Sequence, residues 1–130
     1  MSQRKHQLGD LQLAIMRVLW RQGEATVRQV QDALEASRPL ALTTVATMLT
    51  KMESKGVVGH RAEGRRYVYR PLVSERQVRR SMVRRLTEGL FAGDSLAVVS
   101  HLLSEREIPA AELAELKRMI QQREREEEES

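Results

Sequence analysis

Short polar side chains recur at helical spacing between residues 40 and 55 and could form hydrogen bonds with the bases of DNA. The set is Thr43, Thr44, Ala46, Thr47, Thr50 and Lys51. Hydroxyl groups donate to and accept from base edges and phosphates, and the methyl groups of threonine and alanine can contact the thymine methyl. Because threonine is a mediocre helix former, a merely solvated helix face would be an unusual use of these residues. The pattern favours a helix in the major groove over an ordinary amphipathic helix.

Basic side chains around the turn of a predicted β-hairpin form a second set that suits nucleic acid. Alternating residues over Val57–Pro71 predict the hairpin, and Gly64 tolerates the positive φ of its turn. The predicted contacts are Arg61, Arg65, Arg66 and Tyr69. Guanidinium groups here could bind phosphates or enter the minor groove, whereas the alternative is an edge strand protected by charge. Tyr67 and Tyr69 share one strand face, and we expect one in the core and the other at a phosphate.

Three amphipathic helices are predicted to position these two sets. Their predicted bounds are Asp10–Gln22, Thr26 to the Ser37-Arg38-Pro39 stop, and Leu42–Ser54. Asp10 is a candidate N-cap and Gly23 a candidate stop, Thr26 and Gln29 match a capping box, and Gly56 is a candidate C-cap. The predicted buried row of the second helix is Val27, Val30, Ala33 and Leu34.

Three more helices are predicted after Pro71, over Ser74–Leu90, over Ser95–Leu103 and from Pro109 onward, with residues 122–130 as a frayed acidic tail. Each has an apolar row, and little chain remains to cover these rows, so a unit this small predicts an obligate dimer. The alternative is that the rows fold back on the first three helices. The predicted dimerisation residues are Val78, Met82, Leu86, Leu90, Phe91, Leu96, Val99, Leu102, Leu103, Leu113, Leu116 and Ile120.

The fold class that follows is mainly α with a small β-hairpin. A winged helix-turn-helix domain is predicted over residues 1–73 and a helical dimerisation region over residues 74–130. The charge distribution agrees, since residues 1–87 carry a balance of +10 and residues 88–130 a balance of −6. A basic part joined to an acidic part suggests nucleic acid at one end of the chain and a different partner at the other.

Several other functions are disfavoured by composition and spacing. The chain has no cysteine, which excludes disulfides and thiolate metal sites, and no apolar run long enough for a membrane span or signal peptide. We therefore expect a cytoplasmic protein that has no membrane insertion, cofactor or metal. Gly93-Asp94-Ser95-Leu96 matches a serine-esterase motif, but the chain has no asparagine and no Asp-x-x-His, and a helix N-cap at Asp94 or Ser95 explains the segment better. The sequence therefore predicts no enzymatic activity.

The motifs in this order resemble the penicillinase-repressor (BlaI/MecI/CopY) family. The residues that carry the resemblance are Val18-Leu19-Trp20, Gly23 to Arg28, Thr43-Thr44-Val45, Lys55-Gly56, Gly64 to Tyr69, and Leu90 to Leu103. The resemblance implies a transcriptional repressor that binds a palindromic double-stranded DNA operator as a homodimer. It also implies control of antibiotic-resistance or cell-wall stress genes.

The resemblance also implies a sensor-protease partner that triggers cleavage of an Asn-Phe bond in the dimerisation region. The corresponding position lies near His101-Leu102, and the chain contains no asparagine, so an Asn-Phe bond is missing and cleavage at another bond stays open. The copper-responsive branch of the family senses through C-terminal cysteines, which are also missing. The alternative function is a winged-helix protein-interaction module that does not bind DNA.

Overall fold

The structure is a computed structural model that describes residues 6–105 and 107–130, so Met1 to Lys5 of the polar N-terminal segment and Arg106 lie outside the described residues. Within these described residues, six helices and three strands follow one another. Their bounds are α1 Asp10–Gln22, β1 Ala25–Thr26, α2 Val27–Leu34, α3 Leu42–Lys55, β2 Val58–Glu63, β3 Arg66–Pro71, α4 Glu75–Leu90, α5 Ser95–Glu105 and α6 Ala110–Glu129. The mainly helical fold with a small hairpin is confirmed.

Local sequence signals place most helix ends. Gly23 follows α1 at φ 86°, and Gly56 follows α3 in the left-handed conformation at φ 88°, as glycine permits. The backbone amide of Gln29 donates to Thr26 Oγ1 at 3.2 Å, and the Thr26 amide donates to Gln29 Oε1 at 2.8 Å. This reciprocal pair confirms the predicted capping box. The predicted N-cap of α1 was wrong by one residue, because Gly9 is the cap and Asp10 begins the helix.

An antiparallel sheet in the order β1-β3-β2 supports the hairpin. β1 pairs Ala25 with Tyr69 and Thr26 with Val68. This two-residue strand was not predicted, because two residues are too few to show alternation and only their pairing with β3 defines them. Since β1 pairs with β3 only at Val68 and Tyr69, the part of the hairpin nearer the turn is paired by β2 and β3 alone.

One apolar core joins α1, α2, α3 and the hairpin. Ile15, Leu19, Val30 and Leu49 are completely buried in it. Ala33 is exposed, contrary to the predicted buried row of α2, because this eight-residue helix ends at Leu34 and turns that position outward. The polar faces of the three helices, including the threonines of α3, therefore lie outside the core.

The beginning of α4 belongs to the same core. Val78 is 2% exposed and Met82 packs beside it, half-buried. Trp20 Nε1 donates to the carbonyl oxygen of Val73 at 2.9 Å, and a second capping box joins Ser74 and Gln77. Val78 therefore corrects the predicted dimerisation set, because its side chain is covered within its own chain and cannot contact a partner.

The chain divides into two compact units, one ending at Leu86 and one spanning Thr87–Ser130. In the second unit α5 and α6 contain no buried residue, and Asp94 caps α5 by accepting from the Ala97 amide at 3.0 Å. The predicted frayed tail is instead helical to Glu129. Side-chain pairs four residues apart stabilise this end of α6, including Arg123 Nη2 with Glu127 Oε1 at 3.2 Å. Among the described residues, no helix has the length and hydropathy to cross a membrane.

Candidate nucleic-acid interface

The polar face of α3 is available to a ligand. Val45, Leu49 and Met52 are buried, which turns the opposite side of the helix outward. The exposed members of the predicted set are Thr43, Thr44, Thr47, Thr50 and Lys51, and Ala46 is half-buried. Short side chains on an exposed helix allow the close approach that base contacts require. The structure thus brings the predicted helical set together on one surface.

Thr50 differs from the other threonines because its hydroxyl already has partners. Thr50 Oγ1 donates to the Ala46 carbonyl oxygen at 3.0 Å, and a hydrogen bond also joins Thr50 to the Tyr69 hydroxyl. Both contacts engage the hydroxyl of Thr50. Its methyl group is the part that remains free for an apolar contact with a base.

The two tyrosines of β3 have different environments. Tyr69 is 4% exposed and belongs to the core, whereas Tyr67 is 51% exposed near the turn. Burial raises the pKa of Tyr69 above its ordinary value of 10.0, the charge of Glu53 adds to the rise, and the hydrogen bond with Thr50 opposes it. This burial corrects the inclusion of Tyr69 among the DNA contacts, because Tyr69 is positioned to support α3 and only Tyr67 presents an exposed ring.

A histidine links the hairpin to α3. His60 Nδ1 lies 2.6 Å from Glu53 Oε1, and the imidazole stacks on Tyr67 with ring centroids 4.2 Å apart and 27° between planes. Its centroid is also 5.4 Å from that of Tyr69. His60 and Tyr69 are cross-strand partners, which places all three rings on the sheet face beside α3. This cluster was not predicted, although Tyr67 and Tyr69 share one face of β3 and His60 lies on the neighbouring strand β2.

The three hairpin arginines that were predicted to contact DNA differ in their ion pairs. Arg61 lies 2.8 Å from Glu24 and 3.1 Å from Glu63, and Arg66 lies 3.1 Å from Glu63. Within the described parts of the chain, no carboxylate lies within ion-pair distance of Arg65. All three side chains are exposed, and exposed pairs of this kind contribute little energy. Of these three, Arg65 is therefore the one without an ion pair to a described carboxylate.

A groove of about 560 Å³ lies between the hairpin turn and the beginnings of α2 and α3. Arg28, Arg65 and Arg66 supply its positive charge, and Asp32 is the acidic residue in its wall. Ala41 precedes α3 without a side-chain cap, which leaves the positive end of that helix open. Arg28 was not predicted as a contact. The sequence feature that could have indicated it is its position in the first turn of α2, the helix before α3. The groove fits a negatively charged backbone.

The remaining predicted dimerisation residues are on the surface of this chain, apart from Phe91, Val78 and Met82. The exposed ones are Leu86, Leu90, Leu96, Val99, Leu102, Leu103, Leu113, Leu116 and Ile120. Phe91 is half-buried and contacts the ring of His101 edge-on, with centroids 5.9 Å apart. Met119, which was not predicted, is exposed with them. So many large exposed apolar side chains mark an interaction surface.

Comparison with known proteins assigns the family. The family model for the penicillinase repressor matches residues 8–122. The chain is 38% identical over 98 residues to a transcriptional regulator, BlaI, of Mycobacterium tuberculosis. This alignment covers 74% of this chain and 71% of the relative. It is 24% identical over 116 residues to the penicillinase repressor of Bacillus licheniformis, covering 89% and 91%.

A solved structure supports the fold. The chain is similar to a winged helix-turn-helix DNA-binding domain from Mycobacterium bovis, at a TM-score of 0.50 and 24% identity, over 82% of this chain and 83% of that one. The sheet order and the helix before the hairpin described above are those of a winged helix, with the hairpin as its wing. The chain therefore belongs to the penicillinase-repressor family, a family of DNA-binding transcriptional repressors.

Proposed function

We propose that the protein represses transcription by binding a palindromic operator as a homodimer, with one winged helix on each half-site. The observation that carries the proposal is the exposed hydroxyl face of α3 beside a wing whose Arg65 has no carboxylate partner among the described residues. A helix of this size fits the major groove, and a basic hairpin beside it reaches the phosphates or the minor groove. The known relatives named as a penicillinase repressor and a transcriptional regulator support the same function.

On this proposal the contact residues have different roles, according to their side-chain chemistry. Thr43, Thr44 and Thr47 offer hydroxyl and methyl groups to the base edges, and Lys51 lies at the edge of that face for a phosphate. The set is completed by Ala46 and the methyl group of Thr50 on α3, and by Arg28, Arg61, Arg65, Arg66 and Tyr67 around the groove. Tyr67 replaces Tyr69 in the set because its ring is exposed.

The exposed apolar rows of α5 and α6 supply the homodimer contact. Leu96 is 77% exposed, and no residue of either helix is buried within its own chain. Leaving so much apolar surface in water is unfavourable, and a second copy offers the same rows as a self-complementary surface. A two-fold dimer in turn fixes the separation of the two winged helices, and thereby the spacing of the half-sites.

The regulated genes follow from the family by analogy. The name of the Bacillus licheniformis relative supports control of antibiotic-resistance genes, and we extend this to cell-wall stress genes. We place the protein in the cytoplasm, where the DNA is, and assign it no enzymatic activity. A sensor protease could end repression only by cutting a bond other than Asn-Phe, because the chain has no asparagine.

The test is fluorescence anisotropy with duplex DNA from upstream of the protein's own gene, compared with a scrambled duplex over a series of salt concentrations. We expect selective binding. The logarithm of the binding constant should fall steeply and linearly as the logarithm of the salt concentration rises, because phosphate contacts release counterions. The Thr43→Glu/Thr47→Glu variant should lose this selectivity, since two carboxylates would face the phosphates and base edges.

The matched control adds the same two charges to the first turn of α6, as Ala110→Glu/Ala111→Glu. Both positions are exposed, and negative charge is favourable at the beginning of a helix. This control should bind as the wild type does. Equal weak binding of the wild type to both duplexes would reject the operator proposal and favour the protein-interaction module.

A further inference from the structure

The wing turn has little of the apolar packing that holds the rest of the first unit. Residues 61–67, from Arg61 through the turn to Tyr67, are all exposed. β1 pairs with β3 only at Tyr69 and Val68, so the hairpin beyond these residues has two strands. A two-stranded hairpin is marginally stable in water by itself. The position of Arg65 at the turn therefore depends on side-chain contacts that stabilise the outer half of the wing.

The Arg61–Glu24 ion pair also reaches the outer wing, but it is exposed and contributes little energy, so the ring of His60 is the main contact of this kind. Tyr67 is the aromatic residue nearest the turn, and it stacks on His60 at a centroid distance of 4.2 Å. On its other side the stack continues to Tyr69, whose ring centroid is 5.4 Å from that of His60. Tyr69 is fixed in the core and hydrogen-bonded to Thr50 of α3. The outer wing is thus connected to buried structure through the imidazole.

Glu53 fixes the orientation of that imidazole. The Nδ1 atom lies 2.6 Å from Glu53 Oε1, a distance for a short hydrogen bond, and the tautomer protonated at Nδ1 donates to the carboxylate. Glu53 stands one turn of α3 after Thr50, so both side chains reach the hairpin from the same helix. Two contacts from the DNA-contacting helix, Glu53 to His60 and Thr50 to Tyr69, therefore define where the wing lies against it.

We propose that His60, held by Glu53 and stacked on Tyr67, is a positioning residue that sets the wing turn relative to α3 so that Arg65 meets the DNA backbone. His60 does not itself contact DNA in this proposal. Its effect on affinity passes through Arg65, because a wing that moves freely must be ordered on binding, and ordering costs conformational entropy. The inference rests on the proposed DNA-binding function and adds a role to residues outside the proposed contact set.

The test is a double-mutant cycle in the full-length protein, with anisotropy on the upstream duplex over a salt series. Arg65→Gln removes one phosphate contact, and we expect about tenfold weaker binding and a salt slope reduced by about 0.9. His60→Ala should weaken binding and reduce the slope to a similar extent. The double variant should bind about as the Arg65→Gln single variant does, because the residue through which His60 acts is already gone.

A second cycle supplies the matched control. Thr47→Ala removes a contact on α3 that does not depend on the wing, so its effect and that of His60→Ala should add. His60→Phe keeps a ring for Tyr67 and should restore part of the binding, a rescue that a general loss of stability would not produce. Urea unfolding of each variant provides the stability reference. If His60→Ala does not fold, Glu53→Ala takes its place in both cycles with the same expectation.

The possible outcomes separate the two proposals. Unchanged affinity in Arg65→Gln would reject the role of the wing in DNA binding, on which this inference rests. Weakened binding in Arg65→Gln together with additive effects of His60 and Arg65 would overturn the positioning role alone. Non-additive effects, with additivity in the Thr47 cycle, would support it.

Discussion

The two units of the chain differ in whether their apolar side chains are buried. In the first unit Ile15, Leu19 and Leu49 are completely buried against neighbouring helices and strands, whereas in the second unit the leucines of α5 and α6 remain exposed. A unit that covers its own apolar surface can fold within one chain, and a unit that does not requires a partner. The contrast supports the proposal that the first unit presents a polar surface to DNA and that the second joins two copies.

The contrast is also one of charge. The part of the chain up to residue 87 is basic and the part after it is acidic. Protein–DNA interfaces are polar and strongly positive, while the centres of protein–protein interfaces are depleted of charge. The exposed face of α3 and the wing fit the first description, and the rows of α5 and α6 fit the second.

The largest effect is expected from Leu102→Asp in α5. A buried carboxylate at the proposed dimer contact should dissociate the dimer and, with the loss of two-site binding, weaken operator affinity by about 10²–10⁴-fold. Light scattering should show half the wild-type mass, with the unfolding of the first unit unchanged. A variant that remains dimeric and binds the operator tightly would remove Leu102 from the interface.

Leu49→Ala tests the opposite unit. Because Leu49 is completely buried, its truncation should lower the free energy of unfolding by about 2–5 kcal/mol through lost contacts and a cavity. Urea unfolding followed by the fluorescence of Trp20 measures this loss. Leu102→Ala, at an exposed position, is the matched control and should leave that transition in place. Equal losses in both variants would contradict the division into self-covered and partner-covered units.

Arg65→Gln and Arg61→Gln sharpen the comparison within the first unit. Arg65 has no carboxylate partner among the described residues, whereas Arg61 is paired with Glu24 and Glu63. We expect about tenfold weaker operator binding for Arg65→Gln and a smaller loss for Arg61→Gln, since Arg61 must first leave its ion pairs. Anisotropy on one duplex measures both. A larger loss for Arg61→Gln would mean that its ion pairs exchange for phosphates on binding.

Thr26→Ala and Asp94→Ala remove one helix cap from each unit. Each should cost about 1 kcal/mol, because a backbone amide of the first helical turn loses its side-chain acceptor. The cost of Thr26→Ala should appear in the unfolding of the first unit, whereas that of Asp94→Ala should appear as a raised dimer dissociation constant. Sedimentation over a dilution series measures the second effect. A shift of the first unit's transition by Asp94→Ala would show that the units unfold together.

The smallest effect is a pH dependence in the first unit. The pKa of Tyr69 is raised by burial, so the folded state favours its neutral hydroxyl. This contribution to stability is fully present below pH 10, near the pKa in the unfolded chain, and is lost as pH rises through the higher folded value. We therefore expect the unfolding free energy of the wild type to fall more steeply above pH 10 than that of Tyr69→Phe. Parallel curves would mean that Tyr69 ionises equally in both states.

The local features of the fold could be predicted from the sequence because they depend on nearby residues. The predicted bounds of α1 match the structure, and Gly23, Gly56 and the capping box at Thr26 end or begin helices as expected. The exposed threonine face of α3 followed from spacing alone, since burying one side of a helix exposes the other. These are consequences of backbone geometry and helical periodicity, which act over a few residues.

The tertiary structure decided the features that depend on residues far apart in the chain. Arg61 is paired because the tertiary fold brings Glu24, just before β1, beside it. Tyr69 rather than Tyr67 is buried because β1 covers β3 only at Val68 and Tyr69. Val78 looked like one member of an apolar row, but the core of its own chain covers it. Periodicity shows that a face is apolar, but not which neighbour covers it. That choice follows from packing between segments that are distant in the sequence.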